Sequence, residues 1–318
     1  MDLAFFLITV AMFIALSLAR WLWWAQPDNA ARVAHSFARK VDLGLADRTE
    51  EIVTARLDRR ERAAVVGGGL GALGAAALVA LMTEDAAAGF RVVGVMLGYF
   101  VGHALGYGVV AWRESVSRPA DGPRLARATV PTHGDYVARH ERVSAWVVAG
   151  LAFLGGGALL LLGRSDVLDG AFRGTVPTGF AVAVMGVPAL TVVVDELLAR
   201  RLLDRPQVAS TTLELAWDDA LRARTLRDMV TVPLTAGFVG LAALLGVVGG
   251  RIDGGWPDNP AVGVVSGALI LLLLAGAVMA VVSQVLGPER HVRRRLWPTP
   301  PGAPGASRPQ LPIWGSAR

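Results

Sequence analysis

The chain has no cysteine, a single lysine (Lys40) against thirty arginines, and only three tyrosines. Without thiols there is no disulfide framework, no thiolate nucleophile and no thiolate metal site. Charge is scarce too: Asp, Glu, Lys and Arg make up 18% of the 318 residues, where soluble domains carry about 25%. The charges that exist fall in blocks between long apolar runs. This pattern excludes an ordinary cytosolic enzyme and a disordered chain, and the missing cysteines exclude a secreted disulfide scaffold. What is present is a chain 53% hydrophobic with 37 glycines and a mean hydropathy of +0.49. The composition predicts an all-α membrane protein.

A bilayer core about 30 Å thick needs about 20 mostly apolar helical residues. Seven segments meet that length: 3–24, 63–82, 92–112, 143–163, 176–198, 229–250 and 261–287. Glycine within them is compatible with membrane helices that pack closely. The first segment begins behind Asp2, lacks a basic flank, and runs into Trp21, Trp23 and Trp24 without a small-residue cleavage site. It reads as a retained span, not a signal peptide. Lysine and arginine set the orientation. Segments 25–62, 113–142, 199–228 and 288–318 hold twenty-six of them, and the alternate connectors hold only Arg164, Arg173 and Arg251. The expected topology is therefore seven transmembrane helices with the amino terminus outside and the carboxyl terminus in the cytoplasm. A bacterial plasma membrane is the expected location. Arg20 and Arg91 lie near span ends, where long side chains snorkel to the interface.

The outer connectors are short, whereas the cytoplasmic ones read as amphipathic helices. Asp47-x-x-Glu50, Thr132-x-x-Asp135 and Thr211-x-x-Glu214 all resemble capping boxes. The helix from Thr211 to Asp228 sets Leu213, Ala216, Trp217 and Ala220 on one face and Asp218, Asp219 and Arg222 on the other. It is expected to lie in the inner headgroup region and to bend into the sixth span at an elbow marked by Pro233. Residues 1–287 form one transmembrane domain in this reading. The tail 288–318 opens with Arg290, Arg293, Arg294 and Arg295, a cluster suited to anionic lipid, and then becomes Pro-rich and disordered.

Spans two and four share V-x-x-G-L-x-x-L-G-x-x-A-L, from Val66 to Leu78 and from Val147 to Leu159, and R-x-x-x-x-R-P follows spans three and five. One leading helix plus three parallel hairpins would explain this, and chance in an Ala/Gly/Leu-rich chain would explain it as well. Span three carries two stripes. Gly94, Gly98, Gly102 and Gly106 form a bare ridge suited to close helix packing. Tyr99, His103 and Tyr107 lie beside it, and His103 is the one histidine within the seven spans. An ionisable group at that depth marks either a proton or substrate contact or a neutral histidine bonded to a hydroxyl. Near the end of span five, Asp195 and Glu196 complete the candidate polar site, with Glu196 expected to pair with Arg200. Pro188 is expected to kink that span.

Enzyme signals do not hold. Gly69-x-Gly71-x-x-Gly74 matches a dinucleotide fingerprint but lies within a span, not after a strand. His140-Glu141 lacks the second histidine of a zinc helix, and span seven has no lysine for a retinal Schiff base. No catalytic, cofactor-binding or metal-binding residues are assigned. The stretch Thr211-Thr-Leu-Glu-Leu-Ala-Trp-Asp-Asp-Ala-Leu-Arg-Ala-Arg224, with the Arg-Pro junctions before it, resembles uncharacterised multi-pass membrane proteins of high-GC, actinomycete-type bacteria. That resemblance implies a membrane location and no activity. Three functions stay open, of which an intramembrane enzyme has the least support, since no nucleophile–base pair or pair of metal ligands is found. One of the other two is a non-catalytic membrane module, an accessory subunit or scaffold offering its cytoplasmic helices to a partner. The other is a small-molecule or ion permease with its polar site at His103. Expected partners are the bilayer, anionic lipids at the cytoplasmic face, and a membrane or cytoplasmic protein or a second copy. Nucleic acid is not expected, because acids accompany the bases on the same side.

Overall fold

The computed structural model of the chain describes residues 3–45, 47–80, 91–116, 130–164, 178–207, 209–249 and 289–298, with 264, 267 and 271 as isolated positions. Most of the expected seventh span, all but a few residues of the short connectors, and the Pro-rich tail lie outside these residues. Among the described residues all regular structure is helical. In chain order the helices are α1 (Leu3–Ala25), α2 (Pro27–Val41), α3 (Asp47–Ala80), α4 (Arg91–Val116), α5 (His133–Tyr136), α6 (Arg139–Leu162), α7 (Thr178–Leu203), α8 (Thr212–Gly249) and α9 (Glu289–Leu296). Four of them contain stretches long and apolar enough to cross a membrane: Phe6–Ala25, Arg139–Leu161, Ala181–Leu203 and Thr212–Gly246. Three of these, α1, α6 and α7, have apolar outer faces, with Leu7, Ile8, Met12, Leu154, Leu161, Leu190 and Leu197 all exposed. In water such surfaces would aggregate, whereas lipid accepts them.

The helices sort into an apolar bundle and a polar layer at one end of it. In the bundle, α3 and α4 run antiparallel with their backbones almost touching. A Cβ added to Gly102 would fall onto the carbonyl of Gly67, one at Gly71 onto the carbonyl of Gly98, and one at Gly106 onto the carbonyl of Ala63. Gly98 meets Ala75 and the backbone of Gly71. Gly94 sits in the first turn of α4, and its surroundings lie outside the described residues. Small residues suit such a contact because they let two backbones come close enough for van der Waals attraction to act along the seam. The glycines of the repeated motif are not equivalent: Gly74 has open space around it, while a Cβ at Gly155 would meet Leu244 at 2.8 Å.

The polar layer contains α2, the first half of α3, α5, the first half of α8, and α9. Helix α2 buries Ala30, Ala34, Phe37, Ala38 and Val41, the three-four spacing of one helical face. Its entry is set by Pro27 at the first helical turn and by Asn29, whose amide donates to the Trp23 carbonyl at 2.7 Å and to Gln26 at 3.0 Å. Its exit is Asp42 in the left-handed region (φ 57°), a conformation that Asp and Asn tolerate better than most residues. Phe37, Val41 and Leu43 pack with Val53, Leu57, Trp217 and Leu221 into one apolar cluster, and the Trp217 indole donates to the Gly44 carbonyl at 2.9 Å. A second cluster joins Tyr136, Val137, Leu202, Leu226, Met229 and Val292.

Two expectations are corrected here. The Thr211 helix does not break from the sixth span at Pro233: α8 is one helix through both. Thr231 and Thr235 bond back to the carbonyls of Arg227 and Thr231, at 3.0 and 2.8 Å. A hydroxyl bonded one turn back satisfies itself inside a continuing helix. Nor does this helix lie with its acidic face in headgroups. Asp219 is fully buried and Arg222 nearly so. Asp219 accepts from Tyr136 Oη (2.9 Å), Gln207 Nε2 (2.7 Å) and Trp297 Nε1 (2.8 Å). The basic run after residue 288, for which the sequence suggested no particular structure, forms helix α9, which packs through Val292 and pairs Arg293 with Asp42 at 2.6 Å.

Candidate functional site

The glycine contact between α3 and α4 ends at Ala63 and Gly106, and one turn further the charged residues begin. Arg60 and Glu61 project from α3 toward Tyr107 of α4 and Asp228 of α8. The Arg60 guanidinium forks onto both carboxylate oxygens of Asp228, Nη2 lying 2.6 Å from Oδ1, and its remaining nitrogen bonds Glu61. It also stacks over the Tyr107 ring, 3.8 Å from the centroid, a cation–π contact that strengthens where water is excluded. Burial disfavours the Arg60 charge, but Asp228, Tyr107 and Glu61 outweigh it and hold the group firmly protonated. Glu61 in turn accepts from Arg20 Nη2 at 2.9 Å and from Tyr107 Oη at 3.2 Å.

Tyr107 has one proton, and it points at Glu61. The 3.2 Å contact between Tyr107 Oη and His103 Nε2 then requires His103 to donate, so the Nε2–H tautomer is present. His103 stacks on Tyr99 with ring centroids 5.9 Å apart. Tyr99 belongs to the bundle: it packs with Phe6, Phe13, Ala72 and Val95, over a glycine (Gly68) whose Cβ would collide with its ring.

Of the residues singled out from sequence, the structure therefore brings Tyr99, His103 and Tyr107 together as a stripe, and of these three Tyr107 reaches the cavity described below. Asp195 and Glu196 lie elsewhere. Glu196 pairs with Arg142 of α6, not with Arg200 as the four-residue spacing suggests, because α6 packs directly against that face of α7. Asp195 is buried on the packed side of α7, and its Oδ1 accepts no hydrogen bond among the described residues. On the same side, His133 is pushed down to about 4, by burial first and the Arg142 charge second. In α9, Arg293 reaches the cavity, while Arg294 and Arg295 are exposed. The surroundings of Arg290 lie outside the described residues.

A cavity of about 390 Å³ opens among α1, α2, α3, α4, α8 and α9. Its walls carry six basic side chains, Arg20, Lys40, Arg60, Arg224, Arg227 and Arg293, against two acidic ones, Glu61 and Asp228. Helix α8 contributes one face of itself: Ala216, Ala220 and Ala223, then Arg224, Arg227 and Asp228, then Thr231. The wall thus changes from apolar to charged along the helix, toward the bundle. Phe37, Tyr136 and Trp297 add aromatic surface. The volume falls in the usual range for small-ligand sites, about 300–1,000 Å³.

Sequence reasoning did not find Arg20, Arg60, Glu61, Arg224, Arg227 or Asp228. The signal available was modest: charges at the margins of apolar runs, and on α8 acids on more than one helical face. Among the described residues there is no group of three or more potential metal ligands. No family model matches the chain, and neither a curated protein nor a solved structure matches it. What the described residues define is a class: an all-helical protein with four helices long and apolar enough to cross a membrane.

Proposed function

We propose that the chain is a seven-span bacterial plasma-membrane protein, amino terminus outside, that serves as a binding module for a small charged molecule at the cytoplasmic face. One observation carries this reading: the charged cavity between the polar layer and the bundle. A scaffold would need an unfilled apolar groove on its cytoplasmic helices. Here the apolar faces of α2, α3 and α8 instead pack largely on one another, and the unfilled space is lined by eight charged side chains beside its apolar wall. The basic residues gathered in alternate connectors support a cytoplasmic position for that cavity.

The test is purification from native membrane followed by native mass spectrometry. A small molecule retained on the protein supports the reading. An empty protein accompanied by a stoichiometric membrane or cytoplasmic partner overturns it and restores the accessory-subunit role. Reporter fusions at residue 318 check the orientation, with activity expected only from a cytoplasmic reporter.

A permease is the second reading. What favours it is the hydrogen-bonded run from the cavity wall through Glu61 and Tyr107 to His103, a polar path extending one turn into the bundle. In proteoliposomes, His103→Ala would then abolish flux while leaving ligand binding in place. Unchanged flux with normal folding removes His103 from any transport role.

A further inference from the structure

The walls of the cavity differ in how firmly they are held. Helices α3 and α8 run on from the cavity into the bundle, and α2 buries Ala30, Ala34, Phe37, Ala38 and Val41 along one face. Helix α9 is eight residues long, and a helix that short is marginal by itself. Of residues 291–298, Val292 alone is buried, with Leu296 packed beside it on the cluster around Leu226. Residues four apart share a helix face, and the hydrogen bond from Trp297 N to the Arg293 carbonyl at 2.8 Å carries the last turn on. Arg293 and Trp297 accordingly both line the cavity, while Arg294 and Arg295 are exposed.

Side-chain bonds tie α9 to α5, to the end of α2 and to α8. His291 Nε2 donates to the Gly134 carbonyl at 2.9 Å, Arg293 pairs with Asp42 at 2.6 Å, and Trp297 Nε1 donates to Asp219 Oδ2 at 2.8 Å. These clasps are unequal. The Arg293 and Asp42 side chains are 38% and 53% exposed, and solvent weakens such a pair. Asp219 is fully buried, where a bond to its charge counts for more. Release of Trp297 still leaves that carboxylate bonded to Tyr136 and Gln207. Helix α9 can therefore part from α8 without stranding a buried charge.

From this arrangement we infer that α9 is a strap on the cavity, lifting to admit the small molecule and closing on it through Arg293 and Trp297. The inference rests on the cavity being a small-molecule site, as proposed above. The opposite side of the cavity is a fixed floor, where Arg60 is bonded to Asp228 and Glu61 and Arg20 to Glu61. A molecule that touches Arg293 or Trp297 binds the closed state better than the open one, so its own binding draws the strap shut. Exchange of the molecule is then governed by the clasps at Asp42 and Asp219.

The absence of cysteine gives a clean test. Thr231→Cys places a single thiol on the cavity wall of the full chain in nanodiscs, and Ala220→Cys is a second reporter on the same wall. The measurement is the rate at which N-ethylmaleimide, an uncharged reagent, modifies that thiol. When opening and closing are fast, this rate follows the population of the open form. Trp297→Phe removes the donor to Asp219 without changing any charge. It should speed labelling about tenfold, the worth of one charge-assisted hydrogen bond.

Asp42→Asn is the fold-safe variant, because Asn also tolerates the left-handed backbone at that position. It should speed labelling about twofold, as suits an exposed ion pair. Arg59→Gln, on the exposed side of α3 and outside the cavity, should leave the rate unchanged. Equal rates in the reporter with and without Trp297→Phe and Asp42→Asn would overturn the strap. Acceleration by Arg59→Gln as large as that by Trp297→Phe would reduce the effect to general loosening and overturn it as well. A small molecule retained from native membrane, with labelling that ignores the clasps, would remove the strap and keep the binding module. An empty protein whose labelling follows the clasps would keep the moving wall and remove its ligand.

Discussion

The bundle and the polar layer of this protein are held together by opposite means. Between α3 and α4, contact is backbone on backbone: Gly67, Gly71, Gly98, Gly102 and Gly106 have nothing to interdigitate and gain attraction only by proximity. Around α8, one turn beyond that contact, large side chains and charges do the joining. Leu57, Trp217 and Leu226 are buried there, and Asp219 and Asp228 gather donors from distant segments. The difference follows the size of the side chains. Burying large apolar side chains removes surface from water, at roughly 25 cal/mol per Å². Glycine has no such surface to bury, and the closeness of the backbones is what remains. The cavity sits at the junction, where close packing stops and side chains of mixed length leave space.

The comparison can be broken most severely in the bundle. Gly102→Leu should prevent α3 and α4 from meeting, because the new side chain has only the Gly67 backbone to displace. A loss on the order of 4 kcal/mol or more is expected, seen as a failure to elute as a single species in detergent. Gly150→Leu, at a position with nothing within 4 Å, should change the melting temperature little. Equal damage from both would mean that contact distance is not what holds the bundle.

In the polar layer the largest effect should come from Asp228→Ala, which leaves the Arg60 guanidinium buried without its fork. About 3–5 kcal/mol of destabilisation is expected, with partial recovery in the Asp228→Ala, Arg60→Met double variant. Chemical denaturation in mild detergent measures both, and no recovery would show that the pair does more than neutralise itself. Trp217→Phe should cost less, about 1 kcal/mol for the bond to the Gly44 carbonyl plus some packing, read as a lower midpoint in the same assay.

The smallest effect concerns pH. His133 is held near 4 in the folded protein, below the value near 6.5 of an unfolded chain. The fold therefore prefers the neutral ring. That contribution is fully present above about pH 6.5 and fades as pH falls toward about 4, since the unfolded chain takes up the proton first. Relative to wild type, His133→Gln should lose less stability across that window. A parallel decline in the two proteins would show that other groups govern the acid response.

The positions of the helices were legible from apolar run lengths, and Tyr99, His103 and Tyr107 were recognisable as one stripe from their four-residue spacing. The same spacing misled at Glu196, where Arg200 was near in sequence but Arg142 of the adjacent helix α6 was the actual partner. It misled again at Asp219. A helix with acids on one face and Trp217 on the other looks half-solvated, yet other segments cover both faces. Pro233 read as an elbow because a lost N–H is visible in sequence, whereas the packing that keeps α8 continuous is not.

By itself the sequence determined where the long described helices form and that four of them are apolar enough to cross a membrane, because both properties are local sums over successive residues. It also placed most basic residues in alternate connectors. Tertiary structure decided which charges meet. Arg60 and Asp228 are 168 residues apart, and no period links them. Their pairing depends on how far α3, α4 and α8 approach and how each is rotated, and that is set by the glycine contact on one side and the apolar clusters on the other.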